Sequence, residues 1–224
     1  MRHIRDNGLS ILFGVLFLAA LAGQSIAGHS AFNQHQLEHD AAPASYWRYL
    51  TSSEFGQAML ENWQSEYLQF LLFILATVWL VQRGSGESKK PGNRGRETER
   101  EQKLGPHANS RSPRWARPHG GFRRALYSNS LLIVMGLIFV LSWFGQSVTG
   151  RTAFNSDQRL HGEPTVSWIR YVMEPDFWEN TLQNWQSEFL AVGTMAVFTI
   201  FLRQRGSPES KPVGADHDAT GGAD

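Results

Sequence analysis

The residues that could carry chemistry in this 224-residue chain come in two matched sets, 122 positions apart. Each set has the sequence Asn-Trp-Gln-Ser-Glu; the members are Asn62, Trp63, Gln64, Ser65 and Glu66, and then Asn184, Trp185, Gln186, Ser187 and Glu188. A partly buried glutamate can hold a proton or a cation. The same residues can instead form hydrogen bonds between helices, with tryptophan as an anchor at a membrane surface. We favour this structural interpretation and keep the two glutamates as a candidate ion site.

The histidines suggest a second kind of chemistry. His35 and His39 are one helical turn apart with Glu38 beside them, a spacing that a metal site can use. The second half of the chain keeps His161 but has Asp157 opposite His35, so the pattern is not repeated as a whole. The sequence contains no cysteine, no phosphate-binding loop and no nucleophile–base pair. We therefore predict that the protein is not an enzyme and has no catalytic residue, metal ion or cofactor.

Four stretches rich in apolar residues predict membrane-spanning helices, at about residues 8–28, 64–82, 130–150 and 186–203. The first and third have no charged residue over 21 positions. A helix of that length measures about 30 Å, the thickness of a bilayer's hydrocarbon core. The other two are shorter, but tryptophan precedes each and Gln-Arg-Gly-Ser follows each, as interfacial anchors do. This pattern excludes a single water-soluble core, and the absence of cysteine excludes a disulfide-stapled scaffold.

The two halves of the chain align without a gap at the same offset of 122 residues, which indicates an internal duplication. Gly-Gln-Ser at 23–25 matches 145–147, and Gln-Arg-Gly-Ser at 82–85 matches 204–207. Two helices per repeat is an even number, so both repeats enter and leave on one side. We therefore predict an all-α membrane protein with four transmembrane helices, arranged as two parallel repeats about a pseudo-twofold axis along the membrane normal. The predicted repeats are residues 1–88 and 123–206.

Small and polar residues in helices one and three are candidates for helix packing. They are Gly14, Gly23 and Gln24 in the first repeat, and Gly136, Gly145 and Gln146 in the second. Because small residues let two helix backbones approach closely, we expect these helices to meet through their glycines. The two glutamines could instead line a polar path.

The distribution of basic residues predicts the orientation. Residues 83–124 contain 12 of the 21 Lys and Arg, and such residues are retained in the cytoplasm. Both termini and this linker are therefore expected inside. Residues 89–122 and the tail 207–224 lack apolar periodicity, so we expect both to be disordered. The basic linker is either a solvated tether or a contact for anionic lipids. We expect no nucleic-acid partner.

The chain resembles a family of small bacterial membrane proteins of unknown function. The resemblance rests on Gly-Gln-Ser at the end of the first helix, Ala-Phe-Asn in the loop and Asn-Trp-Gln-Ser-Glu opening the second helix. It implies a location in the bacterial inner membrane, with the lipid bilayer as a partner, and it supplies no activity.

These observations predict a non-enzymatic scaffold or an envelope-associated interaction protein. The alternative is a small transporter or channel with a polar path between the two repeats. A metal-dependent enzyme on the outer face is the weakest hypothesis. The sequence leaves open whether the chain forms a homo-oligomer.

Overall fold

The computed structural model describes residues 6–221, which contain only helices, turns and irregular segments. Within that range the α-helices are α1 (Gly8–Glu38), α2 (Tyr46–Leu50), α3 (Ser53–Trp79), α4 (Phe122–Ser128), α5 (Ser130–Leu160), α6 (Trp168–Tyr171) and α7 (Pro175–Phe201). Single 3₁₀ turns occupy Pro91–Asn93, Gly105–His107 and Arg114–Ala116. The all-helical fold class is confirmed. The outermost residues of the predicted first repeat and tail, 1–5 and 222–224, lie outside the described residues.

Two helices in the described part of the chain, α1 and α5, are long and apolar enough to cross a membrane. Both begin where the sequence predicts and have 31 residues, so each continues ten residues past its predicted apolar span. A helix of 31 residues is about 46 Å long, which exceeds the hydrocarbon thickness by several turns. The crossing predicted for the two 27-residue helices, α3 and α7, stays a prediction.

Both 31-residue helices end in the same hydrogen-bonded turn. Asp40 and Gly162, the second residue after each helix, have positive φ angles of 56° and 72°. The next backbone N–H reaches back to the helix, from Ala41 to Gln36 O and from Glu163 to Gln158 O, at 2.8 Å in both cases. This is the Schellman arrangement, which satisfies carbonyls that the helix leaves open. It reverses the chain and directs it into the following loop.

The short helices α2 and α6 begin at serine caps, as their sequences indicate. The hydroxyl groups of Ser45 and Ser167 accept hydrogen bonds from the backbone N–H of Arg48 and Arg170, at 3.4 and 3.3 Å. Pro175 occupies the first position of α7, where its missing N–H costs nothing.

The chain forms two compact units, and each is assembled from two separate stretches. The first unit is Met1–Leu60 with Phe144–Phe177, and the second is Glu61–Trp143 with Trp178–Asp224, as far as these residues are described. Each unit thus combines residues from both sequence repeats. Aromatic side chains form the centre of the first unit, where Tyr49, Tyr171 and Phe177 are at most 5% exposed.

The glycines of α1 and α5 do not pack as the sequence predicts. A Cβ atom added at Gly14 or Gly23 would have nothing within 4 Å. In the first unit a Cβ at Gly145 would lie 2.9 Å from Leu60 Cδ1, and in the second unit a Cβ at Gly136 would lie 3.5 Å from Leu71. The predicted contact between Gly23 and Gly145 is therefore not formed. Instead, the absence of a side chain on α5 makes room for leucines of α3.

The linker and tail, for which the sequence predicts disorder, follow defined paths in the described residues. The same turn occurs after α3 and after α7: Gln82 N donates to Ser88 Oγ at 2.9 Å, and Gln204 N donates to Ser210 Oγ at 2.8 Å. The Nζ atom of Lys211, a residue that is 2% exposed, lies 2.6–3.1 Å from the carbonyl oxygens of Gly84, Asp216, His217 and Ala219, so its three N–H groups are shared among four acceptors. These contacts with one ammonium group hold together segments that have few apolar side chains to pack.

Candidate functional site: loop clasps and carboxylate pairs

Two asparagines in the first unit each hold one residue of a loop. Asn33 Oδ1 accepts from Ala44 N at 2.7 Å, and Asn33 Nδ2 donates to Ala44 O at 3.0 Å. Asn155 makes the same two bonds with Val166, at 2.8 and 2.9 Å. Each asparagine therefore satisfies both backbone polar groups of one residue, just before a short helix begins. We call the two arrangements the loop clasps.

A tyrosine and a glycine close each loop clasp. Tyr49 packs against the backbone of Gly28, and Tyr171 against that of Gly150, so closely that an added Cβ would overlap each hydroxyl oxygen. The phenol rings also contact Phe32 and Phe154, with centroid separations of 5.6 and 5.5 Å. Burial, and then the charge of Glu54, raise the pKa of Tyr49, which keeps its hydroxyl neutral. Only glycine permits this approach of ring to helix backbone.

The serine of each Gly-Gln-Ser motif anchors the first residue of the short helix. Ser25 Oγ lies 2.7 Å from Tyr46 Oη, and Trp168 Nε1 donates to Ser147 Oγ at 3.0 Å. Tyr46 and Trp168 differ in type, but each places one hydrogen-bonding group of an aromatic side chain beside the serine. Sequence analysis assigned no partner to these serines or to Asn33 and Asn155. Their repetition in Gly-Gln-Ser and Ala-Phe-Asn was the available signal.

Different cationic or polar side chains reinforce the same loop carbonyl in the two clasps. Arg151 Nε donates to Val166 O at 3.1 Å, and His29 Nε2 lies 2.8 Å from Ala44 O. The role of the position is preserved although the residue changes. Each position thus places a side-chain nitrogen beside the carbonyl oxygen of the loop.

The repeated Asn-Trp-Gln-Ser-Glu motif has two different environments in the second unit. Gln64 is fully buried, and its Oε1 accepts from Trp185 Nε1 at 2.6 Å. The Trp185 ring packs against Trp143, with centroids 5.7 Å apart. By contrast, Gln186 is exposed and Trp63 is 37% exposed. One copy of the motif therefore supplies the buried amide, and the other supplies the indole that binds it.

The remaining motif residues bond mainly within their own helices. Ser65 and Ser187 donate to the carbonyls of Asn62 and Asn184, both at 2.8 Å. Asn184 Nδ2 donates to Asn180 O at 2.8 Å. Among the helix-packing candidates in α1 and α5, Gln24 is exposed, whereas Gln146 is only 1% exposed. The structure thus buries the polar residue of the second repeat and not its counterpart.

Carboxyl groups from the two halves approach one another in two places in the second unit. Glu66, which is exposed, and Glu188, which is partly buried, lie near enough for their charges to repel. Glu87 and Glu209 lie close enough for their carboxyl groups to interact. Burial, followed by the charge of Glu209, raises the pKa of Glu87. Sequence analysis missed this second pair, although Glu-Ser-Lys recurs at both positions.

A cavity of about 210 Å³ adjoins the Glu87–Glu209 pair. Its other lining residues are Gln69, Phe70, Phe73, Ala191, Val192 and Met195, which come from α3 and α7. Apart from Gln69 these side chains are apolar. The cavity therefore has one polar end, at the two carboxyl groups, and apolar walls.

Three histidines of the first unit, His35, His39 and His161, lie near one carboxylate. His35 Nε2 is 3.7 Å and His161 Nδ1 is 3.5 Å from Asp157, and the rings of His39 and His161 have centroids 4.9 Å apart. The side chains of His35, His161 and Asp157 are about half exposed. Within residues 6–221, however, no group of three or more histidine, cysteine, aspartate or glutamate side chains is arranged to hold a metal ion.

Comparison with known proteins gives a family and no activity. A family model described as "Domain of unknown function (DUF6766)" matches residues 1–222. No curated protein and no solved structure matches the chain.

The loop clasp predicts a stability loss for Asn33→Ala. The substitution leaves the N–H of Ala44 without its partner and removes one of the two side-chain groups beside its C=O, which should lower the free energy of unfolding by about 1–3 kcal/mol. Denaturant titration of the full chain in detergent measures the change. Gln34→Ala is the matched control, because Gln34 bonds only to the exposed Glu38. Equal stability of the two variants would contradict the role of the clasp.

The raised pKa of Glu87 predicts a pH-dependent effect of Glu87→Gln. The folded chain holds this proton more tightly than the unfolded chain, so stability falls as pH rises above the ordinary glutamate pKa. The neutral glutamine should therefore raise the melting temperature at neutral pH and have little effect in acid.

Glu97→Gln is the control of opposite sign for this experiment. A hydrogen bond from Lys89 lowers the pKa of Glu97, so its carboxylate stabilises the fold at neutral pH. Glutamine should remove that stabilisation. Parallel shifts of the two variants in melting scans between acid and neutral pH would exclude the assigned role of Glu87.

Proposed function

The chain belongs to the DUF6766 family, and we propose that it is a non-enzymatic membrane scaffold that holds two outer loops rigidly for an envelope partner. The observation that carries this proposal is the loop clasp, which occurs in both halves with the same atoms and nearly the same distances. The repeated polar residues are used to fix the loops against their helices. That arrangement suits a platform whose shape matters more than its reactivity.

The proposed arrangement has four transmembrane helices, made from a tandem duplication of a two-helix unit. The paired clasps and the paired turns after α3 and α7 support the duplication. The two halves would be parallel repeats about an axis along the membrane normal. The concentration of Lys and Arg in residues 83–124 favours a cytoplasmic linker and cytoplasmic termini in a bacterial inner membrane.

The short helices would form the surface that meets the partner. Trp47 in α2 is 76% exposed, and Ile169, its counterpart in α6, is 62% exposed, whereas Tyr49 and Tyr171 are buried. Each short helix therefore has one face in the clasp and one apolar residue directed outward. Large apolar side chains on a rigid support are typical anchors of protein interfaces.

A second candidate is a small proton or cation transporter, and the carboxyl pairs favour it. Glu66 with Glu188 and Glu87 with Glu209 are pairs in which one carboxyl group influences the other. Against transport, the cavity beside Glu87 has apolar walls. The scaffold therefore stays the first proposal.

An impermeant thiol reagent that carries a photo-crosslinker tests orientation and partner binding together. Because the chain has no cysteine, only introduced sites can react. Ala42→Cys and Thr165→Cys should label in intact cells, and Ser110→Cys should label only after lysis. Irradiation should then join each outer site to a protein of one defined mass. Labelling of Ser110→Cys alone would reverse the orientation, and labelled sites without a protein adduct would contradict the scaffold.

Proton flux into vesicles distinguishes the scaffold from the transporter. Purified chain and the double variant E66Q/E188Q should both leave the pH gradient of reconstituted vesicles as stable as in empty vesicles, because a scaffold provides no path. Dissipation by the parent chain that the double variant abolishes, with unchanged helical content, would establish the transporter instead.

A further inference from the structure

A cavity of about 700 Å³ in the second unit collects positive charge where linker and tail meet. Its charged lining residues are Arg83, Lys90, Arg94 and Asp218. Three positive charges against one negative give the lining a net charge of +2. The remaining lining residues are Val81, Pro91, Ala219 and Thr220.

Backbone hydrogen bonds hold these cations at the end of α3. Gly95 N donates to Val78 O at 2.7 Å, so the linker turns back against the last turn of the helix. A Cβ at Gly95 would lie 3.1 Å from the Trp79 ring, which shows how closely the linker packs there. On the other side, Gly84 N donates to Thr220 Oγ1 at 2.8 Å. The cations therefore project from a fixed backbone.

The ion pair inside the cavity is weak enough for a ligand to replace. Arg83 and Asp218 are 3.6 Å apart, and their side chains are 76% and 69% exposed. An exposed pair at this distance contributes little to stability. A phosphate group offers the arginine fork two oxygens at once and brings a charge that the other two cations also attract.

We propose that this cavity binds the phosphate of an anionic lipid headgroup. Trp79, the last residue of α3, and Leu80, which follows it, precede the cavity and are 56% and 70% exposed. These apolar side chains could lie along the acyl chains of a lipid, and a free phosphate would leave them uncovered. The inference rests on the proposed crossing of α3 and does not depend on the scaffold role.

Native mass spectrometry of the full chain tests this proposal. The chain is released from micelles that contain equal amounts of phosphatidylglycerol and phosphatidylcholine. The molecules of each lipid that stay bound to the chain are then counted. A net charge of +2 predicts a preference of about thirtyfold for phosphatidylglycerol. The variant R83Q/K90Q/R94Q leaves Asp218 as the one charge of this lining and should lose the preference for phosphatidylglycerol. The control R100Q/R111Q/R114Q loses three charges from the same linker, outside the cavity, and should keep the preference.

A second substitution should change the lipid preference in the opposite direction, which a merely structural effect would not do. Asp218→Asn removes the competing carboxylate and should increase the preference about fivefold, whereas Asp216→Asn, two residues away, should not. Binding that survives excess inorganic phosphate supports a lipid, and displacement by phosphate alone overturns it. Equal preferences in the parent and both arginine variants would also overturn it. Adducts at the outer loops would then still support the scaffold.

Discussion

The hydrogen bonds from one asparagine side chain to both polar groups of one loop residue constrain the first unit of this protein. A loop at a membrane surface cannot leave its backbone unpaired wherever water is excluded, and an asparagine amide offers one donor and one acceptor at the required spacing. Asn33 and Asn155 meet that requirement. With the loop fixed, the tyrosine of the next helix lies over a helix glycine. The order of helix, clasp and short helix then follows in both halves.

Local physics determines several parts of the fold, and among these the apolar blocks of the sequence predicted where two long helices begin. Both 31-residue helices begin at the first residue of their apolar blocks, and Pro175 begins α7 as its fixed φ angle favours. Ser45 and Ser167 cap the short helices because their hydroxyl groups accept N–H groups that the first turn leaves open. Each of these features depends on residues within one turn of one another, so no knowledge of tertiary structure was needed.

The contacts between helices could not be read from the same signals. Glycine in a helix indicates close approach but does not identify what approaches, and at Gly145 the neighbour is Leu60 rather than another glycine. Likewise, the repeated motif gave no reason to expect Gln64 buried and Gln186 exposed. Composition likewise gave no indication that Lys211 of the tail would be buried with four carbonyl oxygens around its ammonium group.

Similar sequence segments at different positions of one chain are not bound by symmetry, so their contacts can differ. In a pair of separate identical units, any bond from Trp185 to Gln64 would be accompanied by its twin from Trp63 to Gln186. The structure has the first bond, at 2.6 Å, while the twin residues are exposed. Each position can then have contacts suited to its own surroundings. Beside the loop carbonyl, Arg151 stands where the first half has His29, and each brings a side-chain nitrogen to within 3.1 Å of the oxygen. The clasps are alike because both loops face the same requirement for backbone pairing, whereas the motif residues have no common requirement and differ in their contacts.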